Sequence, residues 1–250
     1  VQRFDYVTGD NYIVRPTPPD ATTELRFNWN SAISQDPFDT RTIYFGSQFV
    51  HKSSDKGLTW KVISPDLTTN NPEKQKQSES GGLSMDATGA EKDMLWTGSD
   101  DGRVHYTQNG GQTWTEVTGA IKGLPKGSWI PQIKASTRNK GEALLIANDY
   151  RRFNYTPYAY RTKDYGKTWT RIVDANDVKS YTLSIIEDPE NPNLMFLGTD
   201  DGLYVSFNAG EKWQKWTEGF PTVSTKDLAI HSREHDLVIG TFGRAAWVLD

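Results

Sequence analysis

The sequence contains no cysteine, which excludes disulfides, thiolate metal sites and cysteine nucleophiles. It has no apolar run that approaches the roughly 18 residues of a membrane-spanning helix. It also lacks an excess of basic residues: the formal net charge is −4, which argues against a general nucleic-acid binder. Neither a G-x-x-x-x-G-K-[ST] nucleotide loop nor a G-x-S-x-G nucleophile elbow occurs. Several enzyme classes are therefore excluded, while binding functions stay open.

What the chain does contain is typical of β-structure. Its 250 residues include 9 Trp, 11 Tyr, 10 Phe, 21 Gly and 12 Pro, a composition suited to many short strands joined by tight turns. That length is enough to bury a substantial core. No segment shows the periodicity of a credible amphipathic helix.

An eight-residue pattern occurs four times, with Ser or Thr first, Asp or Asn third, Gly fifth and Trp eighth. The tryptophans lie 54, 55 and 44 residues apart, so whole structural units repeat. The third, fifth and eighth positions are Asp55, Gly57 and Trp60; Asn109, Gly111 and Trp114; Asp164, Gly166 and Trp169; and Asn208, Gly210 and Trp213.

Turn chemistry explains every fixed position of this pattern. The Asp or Asn accepts hydrogen bonds from backbone N–H groups of its own turn, the Gly supplies a positive φ, and the Trp packs between neighbouring sheets. Two of the four copies carry Asn, which is neither an acid nor a base. We therefore expect these residues to be structural rather than catalytic.

Around each copy the sequence predicts four short strands, which is the unit of a β-propeller blade. Five blades can be read over residues 26–250, and the fifth stops before any eight-residue pattern. Residues 1–25 form an N-terminal extended segment, or a closing strand that completes the fifth blade. The chain starts without Met and stops in an apolar run, so we expect it to be part of a longer protein, with either a closed ring or a section of a larger one.

The pattern S/T-x-D/N-x-G-x-T/S-W resembles the BNR, or Asp-box, repeat; the fourth copy departs from it at Lys212, where Thr is usual. The turns DPFDTRTIYFG and DPENPNLMFLG and the ending DLVIGTFGRAAWVLD are most similar to sortilin-related, glycosidase-like bacterial proteins. The resemblance covers nearly everything from Arg26 on. It implies a secreted, periplasmic or cell-surface protein whose ligands bind the face opposite the Asp boxes. Xyloglucan-cleaving relatives use carboxylates from two propellers, of which this chain offers one.

On that opposite face we expect the hairpins between the second and third strands of each blade. Two of them carry the pairs Asp100–Asp101 and Asp200–Asp201. With Asp149, these are the candidate catalytic carboxylates of a glycoside hydrolase. The alternative is that D-D-G is hairpin chemistry alone. No metal site is predicted, and structural calcium at these hairpins is the one cofactor that the sequence admits.

The segment from Asn148 to Tyr158, NDYRRFNYTPY, replaces a tight turn with aromatic and basic residues. Such side chains stack on sugars or peptides and pair with carboxylates, although they also pack well against an adjacent blade. The predicted binding residues are Tyr150, Arg151, Arg152 and Tyr155, together with Trp129 and Arg244. The four histidines are expected at surface or edge positions, without zinc.

Two functions follow from these observations. The first is a non-enzymatic binding or scaffold propeller for protein, peptide or glycan, within a longer protein. The second is a sialidase- or xyloglucanase-like hydrolase, which would need a partner domain. A sialidase would also need an R-I-P motif and converging arginines, and the sequence has no R-I-P. The sequence favours binding and predicts neither a nucleic-acid partner nor membrane insertion.

Overall fold

The computed structural model describes residues 1–76 and 81–250, and almost all of its regular structure is antiparallel β-sheet. An N-terminal hairpin consists of β1 (Gln2–Phe4) and β2 (Asn11–Ile13). Five further sheets follow in chain order, and we call them blades 1 to 5. The β-propeller class predicted from the sequence is confirmed.

Each blade is a meander in which consecutive strands pair. Blade 1 comprises β3 (Ile33–Gln35), β4 (Ile43–Gly46), β5 (Val50–Ser53) and β6 (Lys61–Val62). Blade 2 comprises β7 (Leu83–Ala87), β8 (Leu95–Ser99), β9 (Val104–Thr107) and β10 (Thr115–Glu116). Blade 3 comprises β11 (Trp129–Ala135), β12 (Ala143–Asp149), β13 (Asn154–Thr162) and β14 (Thr170–Arg171). Blade 4 comprises β15 (Thr182–Glu187), β16 (Met195–Thr199), β17 (Gly202–Ser206) and β18 (Gln214–Lys215). Blade 5 comprises β19 (Thr225–Ile230), β20 (Leu237–Thr241) and β21 (Ala246–Leu249).

The core lies between adjacent blades, and blades 2, 3 and 4 each contribute buried residues to two apolar clusters. On β12, Leu145 belongs to the apolar cluster shared with blade 2, whereas its neighbours Leu144 and Ile146 belong to the cluster shared with blade 4. This alternation is the two-residue period of a strand. All seven residues of β12 are buried, which explains why its sequence is a continuous apolar run.

The first strands of the blades contact one another in the order β3, β7, β11, β15 and β19. They surround a cavity of about 970 Å³. Its lining includes polar residues of these inner strands, such as Ser84, Gln132 and Asp227. The sequence order of the blades is therefore their order around the cavity.

The N-terminal hairpin is built like the outer half of a blade. Val14 N donates to the carbonyl of Val1 at 3.0 Å, as Ile63 N does to Val50 in blade 1 at 2.9 Å. A methyl group on Gly57 would lie 2.9 Å from Cγ1 of Val14, and one on Gly111, the corresponding glycine of blade 2, would lie 2.9 Å from Cβ of Ile63. The strand predicted here exists, but β1 pairs with β2 and not with blade 5.

Residues 67–82 are mostly polar or charged, so the sequence predicts a mobile loop between blades 1 and 2, and the structure differs from this prediction. Leu67 is buried, and a short helix α1 (Pro72–Lys76) follows. Asn71 Oδ1 accepts the N–H of Glu73 at 2.9 Å, which caps the first turn of this helix. Residues 77–80 of that predicted loop lie outside the described residues.

Candidate functional site

The third-position side chain of each Asp box bonds its own turn, as predicted. Asp164 accepts the N–H of Thr168 at 2.9 Å and its hydroxyl at 2.7 Å. These bonds, the Thr168 hydroxyl above all, hold the pKa of Asp164 below its ordinary value. In the fourth box Asn208 still accepts the N–H of Lys212 at 2.9 Å, while Lys212 Nζ pairs with Asp177. The departure at Lys212 therefore leaves the turn intact.

The boxes also define which end of a blade is which, because each box contacts one end only. The residue before each box glycine has a positive φ and donates its N–H to the first-to-second turn of its own blade, as in Lys56 to Arg41 and Tyr165 to Gly141. At the other end, the second-to-third hairpins contact the links between blades: Thr69 N bonds Asp101, and Arg152 Nη1 bonds the carbonyl of Lys126. We call this second end the rim face.

The box tryptophans join neighbouring blades. Trp114 Nε1 donates to the carbonyl of Ile63 in blade 1 at 2.9 Å, and Trp213 Nε1 donates to Ile172 in blade 3 at 2.7 Å. Trp169 packs edge-on against Trp96 of blade 2, with ring centroids 6.0 Å apart. The repeated side chains of the boxes thus make contacts within the protein, which leaves the rim face as the candidate site.

Two rim carboxylates are held within their own hairpins. Asp101 accepts Ser99 Oγ at 2.5 Å and Thr69 N at 2.8 Å, and it is buried. Asp201 accepts Thr199 Oγ1 at 2.7 Å and pairs with Lys215 Nζ at 3.0 Å. Both aspartates have the contacts expected of hairpin chemistry rather than of an acid facing a substrate.

Asp100 is in a different environment. Its Oδ2 accepts Asn28 Nδ2 at 2.9 Å and Gly81 N at 3.1 Å, whereas its buried Oδ1 has no hydrogen-bond partner among the residues that the structure describes. Burial raises the pKa of this carboxyl. Asp100 lines a small cavity of about 70 Å³ together with Asp149, Lys74 and Trp129. The structure therefore brings two of the five candidate carboxylates to one cavity.

Asp149 ends β12, where the chain makes a single 3₁₀ turn over Tyr150–Arg152. Arg152 Nε donates to Asp149 Oδ1 at 2.5 Å, and Asn154 Nδ2 donates to Oδ2 at 3.2 Å. Phe153 then takes a positive φ of 60° and β13 begins. Asp149 and Arg152 thus hold the loop in shape.

At the same turn lies a group of neighbouring aromatic rings that we call the rim aromatic cluster, formed by Trp129, Tyr150, Tyr155 and Tyr181. Tyr150 stacks on Tyr181 at 5.0 Å between centroids and lies 6.3 Å from Trp129. Tyr155 lies 6.1 Å from Tyr181. The Arg151 guanidinium sits over Trp129 at 4.8 Å. The predicted packing against a neighbouring element is observed, because Tyr150 and Tyr155 contact Tyr181 in the link before blade 4. The predicted role of these residues in ligand binding stays a prediction.

Tyr181 and Asp200 are neighbours in the structure, and the sequence did not predict this contact. Burial, and then a hydrogen bond to Asp200, raise the pKa of the Tyr181 phenol. Asp200 is exposed, and its N–H bonds the Tyr181 carbonyl at 3.2 Å. Tyr181 lies between the third box and β15 and belongs to no motif, so nothing in the sequence identified it as a site residue. Asp200 therefore borders the rim aromatic cluster.

Arg244 lies apart from the other predicted binding residues. It is exposed in the hairpin between β20 and β21, where its carbonyl accepts Trp247 Nε1 at 3.0 Å. Neither of the two rim cavities includes it. Its neighbour Phe242 does line the central cavity, together with Trp129.

The histidine expectation is wrong for two positions. His51 is fully buried, with Nε2 2.8 Å from Ser47 Oγ, and His105 is also buried. In residues 1–76 and 81–250 no group of three or more His, Asp or Glu side chains is arranged to hold a metal ion. Over the same residues, no helix has the length and hydropathy to cross a membrane.

Comparison with known proteins identifies relatives of this architecture. The family model for sortilin (Sortilin-Vps10, neurotensin receptor 3) matches residues 158–246. The oligoxyloglucan-reducing end-specific xyloglucanase of Emericella nidulans is 28% identical over 195 residues, which are 72% of this chain and 23% of the relative. The chain thus spans about a quarter of the length of that curated relative.

Solved structures show the same fold. An ancestral GH74 enzyme superposes with a TM-score of 0.63 at 17% identity, over 88% of this chain and 29% of that one. The GH74 xyloglucanase from Xanthomonas campestris gives a TM-score of 0.62 at 17% identity, over 88% of this chain and 36% of that one. The chain is an Asp-box β-propeller, and its predicted resemblance to sortilin-related and glycosidase-related propellers is confirmed.

Proposed function

We propose that this chain is the glycan-recognising propeller of a polysaccharide-degrading glycoside hydrolase, with the rim face as its binding surface. The observation that carries the proposal is the rim aromatic cluster, whose Trp129 also lines the central cavity. The names of its relatives, which are xyloglucanases, support a plant-type polysaccharide as the ligand. Because cell-wall polysaccharides such as xyloglucan lie outside cells, the proposal implies a secreted, periplasmic or cell-surface protein.

The chemistry of the cluster suits a sugar. A pyranose presents apolar C–H faces and hydroxyl edges, so it packs on an aromatic ring while its hydroxyls bond the polar groups around that ring. Here Trp129 and Tyr150 supply rings, and Arg151 and Arg152 supply donors beside them. The cluster sits on blade 3, whose β12 is buried throughout, so it is held on a rigid support.

The sequence favoured a non-enzymatic scaffold, whereas the named relatives favour the hydrolase alternative. Asp100 is the carboxylate that supports a direct catalytic role, because burial raises its pKa and one of its oxygens has no hydrogen-bond partner within residues 1–76 and 81–250. A raised pKa keeps a carboxyl protonated, as a general acid must be. Our second candidate function is therefore that Asp100 contributes the acid of a site completed by another domain.

Isothermal titration with xyloglucan oligosaccharides tests recognition. We expect Tyr150→Ala to weaken binding by about tenfold, which corresponds to ~1.4 kcal/mol of lost stacking. Phe207→Ala is the control, because Phe207 is also exposed but lies in the turn of the fourth box. Equal binding by wild type and Tyr150→Ala would refute recognition by the cluster.

Hydrolysis is tested separately, in the longest form of the protein that can be expressed. Asp100→Asn keeps the size of the side chain and its bond to Asn28 but removes the acid. We expect unchanged oligosaccharide binding and a loss of reducing-end release of at least a hundredfold. Retained activity would remove Asp100 from catalysis and leave the binding proposal standing.

A further inference from the structure

The cavity of about 70 Å³ on the rim face, between blades 2 and 3, is lined by two buried side chains with an unpartnered oxygen. They are Asp100 and Asn148, which are 3% and 1% exposed. Oδ1 of each has no hydrogen-bond partner in the described part of the chain. Buried acceptors without a donor are uncommon and costly in folded proteins, so this pair indicates an occupant that supplies hydrogen-bond donors.

The other polar atom of each side chain is bonded outside the cavity. Asn148 Nδ2 donates to the carbonyl of Thr182 at 3.2 Å, and this bond determines which end of the amide is the oxygen. Asp100 Oδ2 accepts Asn28 Nδ2 and Gly81 N. None of these three partners lines the cavity. Both side chains are therefore held from outside the cavity, with Oδ1 on its inner side.

The backbone of blade 3 places Asn148 beside an aromatic ring. Asn148 pairs with Trp129 across β11 and β12, and the register of β12 with β13 shifts between Ala147 and Asp149. Such a bulge re-aims a side chain. Opposed residues of an antiparallel pair have Cβ atoms roughly 4.5–5.5 Å apart, so one ligand can contact both. Because Trp129 belongs to the rim aromatic cluster, a sugar held by that cluster lies next to Asn148.

The charges of the cavity wall narrow the class of occupant. Among the described residues, its charged side chains are those of Lys74, Arg151, Arg152, Asp100 and Asp149. Three cationic groups beside two carboxylates disfavour a metal ion or an ammonium group. An anion carries no proton and would leave the amide oxygen without a donor. A hydroxyl group satisfies both kinds of neighbour, because it donates to an oxygen and accepts from an ammonium.

The size of the cavity agrees with a hydroxyl. A water molecule occupies roughly 30 Å³, so the cavity has room for one or two waters or hydroxyl groups and not for a whole sugar ring. Lys74 Nζ lies at its wall, since a methyl group on the lining residue Gly127 would be 3.1 Å from that nitrogen. A sugar hydroxyl that reproduces the bonds of a displaced water retains their contribution to affinity.

We propose that this cavity receives one hydroxyl group of the bound sugar, which donates to Asn148 Oδ1 and accepts from Lys74 Nζ. The inference rests on the proposed function and adds to it two residues that select a sugar by the position of a hydroxyl. A site that bonds a buried hydroxyl rejects an analogue without it, because its polar groups are then left unpaired. Asp100→Asn keeps a hydrogen-bonding group beside the same hydroxyl, in agreement with the unchanged binding expected of that variant.

Isothermal titration with a single-repeat xyloglucan oligosaccharide tests the contact from the protein side. We expect Lys74→Met to weaken binding by about fivefold, because methionine fills similar space without a donor. Lys76→Met is the matched control and should bind as wild type does. Lys76 lies in the same helix α1, its side chain is 70% exposed, and it does not line the cavity. Asn148→Leu, which removes the acceptor with little change in size, should weaken binding by about tenfold.

Singly deoxygenated versions of the same oligosaccharide test the contact from the ligand side, with the protein unchanged. We expect loss of one particular hydroxyl to weaken binding to wild type by about tenfold. Loss of that hydroxyl should cost much less in Asn148→Leu and in Lys74→Met, because its partner is already missing. A merely structural role of Asn148 would instead lower the affinity for the parent sugar and for every analogue by the same factor.

Circular dichroism checks the folding of each variant, and if the buried Asn148→Leu does not fold, the coupling is measured with Lys74→Met alone. The inference is overturned if wild type binds all deoxygenated sugars equally, or if the cost of each deoxygenation is unchanged in the variants. The cavity then holds water only, and weaker binding by Tyr150→Ala leaves the proposed function standing. Absence of any oligosaccharide binding by wild type overturns the proposed function, and this inference with it.

Discussion

His51 shows how one buried side chain ties stability to pH. It is fully buried in β5, and its Nδ1 has no hydrogen-bond partner in the described part of the chain. Burial lowers its pKa to about 4 from an ordinary value of about 6.5. Between those two values the unfolded chain binds a proton that the folded chain does not. Stability contributed by neutral His51 is therefore complete above pH 6.5 and is lost as the pH falls through about 4.

We expect the free energy of unfolding of wild type to fall by roughly 3 kcal/mol more between pH 6.5 and pH 4 than that of His51→Gln. The glutamine amide is neutral over this range and can still bond Ser47. Urea titrations at half-unit pH steps measure the difference. His231→Gln, at an exposed position, is the control. Parallel pH curves for wild type and His51→Gln would show that His51 does not set the acid sensitivity.

At the rim site, local sequence patterns predicted the surroundings of some residues and not of others. Asp101 and Asp201 stood in D-D-G hairpins, and local turn chemistry explained them correctly. Asn28 and Tyr181 became relevant only because the fold places them beside Asp100 and Tyr150, respectively. Neither has a local pattern, since each acts on a residue more than 30 positions away. His51 was missed for a similar reason, because burial depends on neighbouring strands.

At the scale of elements, each Asp box is also a docking surface for the preceding blade. Gly111 has a φ of 91°, and a Cβ added there would lie 2.4 Å from the Ile63 carbonyl oxygen. Both the conformation and the space therefore require glycine. The sequence predicted the positive φ of the box glycines but not this contact, which depends on how adjacent blades pack.

Gly111→Ala should lower the free energy of unfolding by about 2–4 kcal/mol, from backbone strain plus the clash with Ile63. Gly119→Ala is the matched control, because Gly119 has an ordinary φ and open space around its Cα. We expect the control to be neutral or slightly stabilising. Urea midpoints of the two variants provide the comparison. Equal midpoints would show that the box accommodates a side chain and that blade docking there is loose.

Over the whole molecule, the four core clusters alternate with the blades, so stability arises between nearest neighbours. Repeat spacing was sufficient to predict this organisation, because the period of the boxes defines one blade. Ring closure was not predictable, since it depends on which strand pairs at the chain ends. There the structure places β1 with β2 and leaves blade 5 with three strands in the described part of the chain.

This organisation predicts that backbone amides of different blades are protected from hydrogen exchange to different degrees. Blade 3 shares one core cluster with blade 2 and another with blade 4, whereas the described cluster of blade 5 joins it to blade 4. The outer strand β21 is also mostly exposed or half-buried. We therefore expect amides of β19–β21 to exchange through local opening, at a lower free energy than amides of β11–β13, which should require global unfolding.

Hydrogen exchange followed by mass spectrometry resolves this difference by peptide. Leu228→Ala removes a buried side chain from the cluster between blades 4 and 5 and should speed exchange in β19–β21 while leaving β7–β9 unchanged. Leu145→Ala, in the cluster between blades 2 and 3, should speed exchange in β7–β9 and in blade 3. Equal protection of all five blades in wild type, or the same response to both substitutions, would mean that the propeller opens as one cooperative unit. Nearest-neighbour coupling would then be the wrong description of its stability.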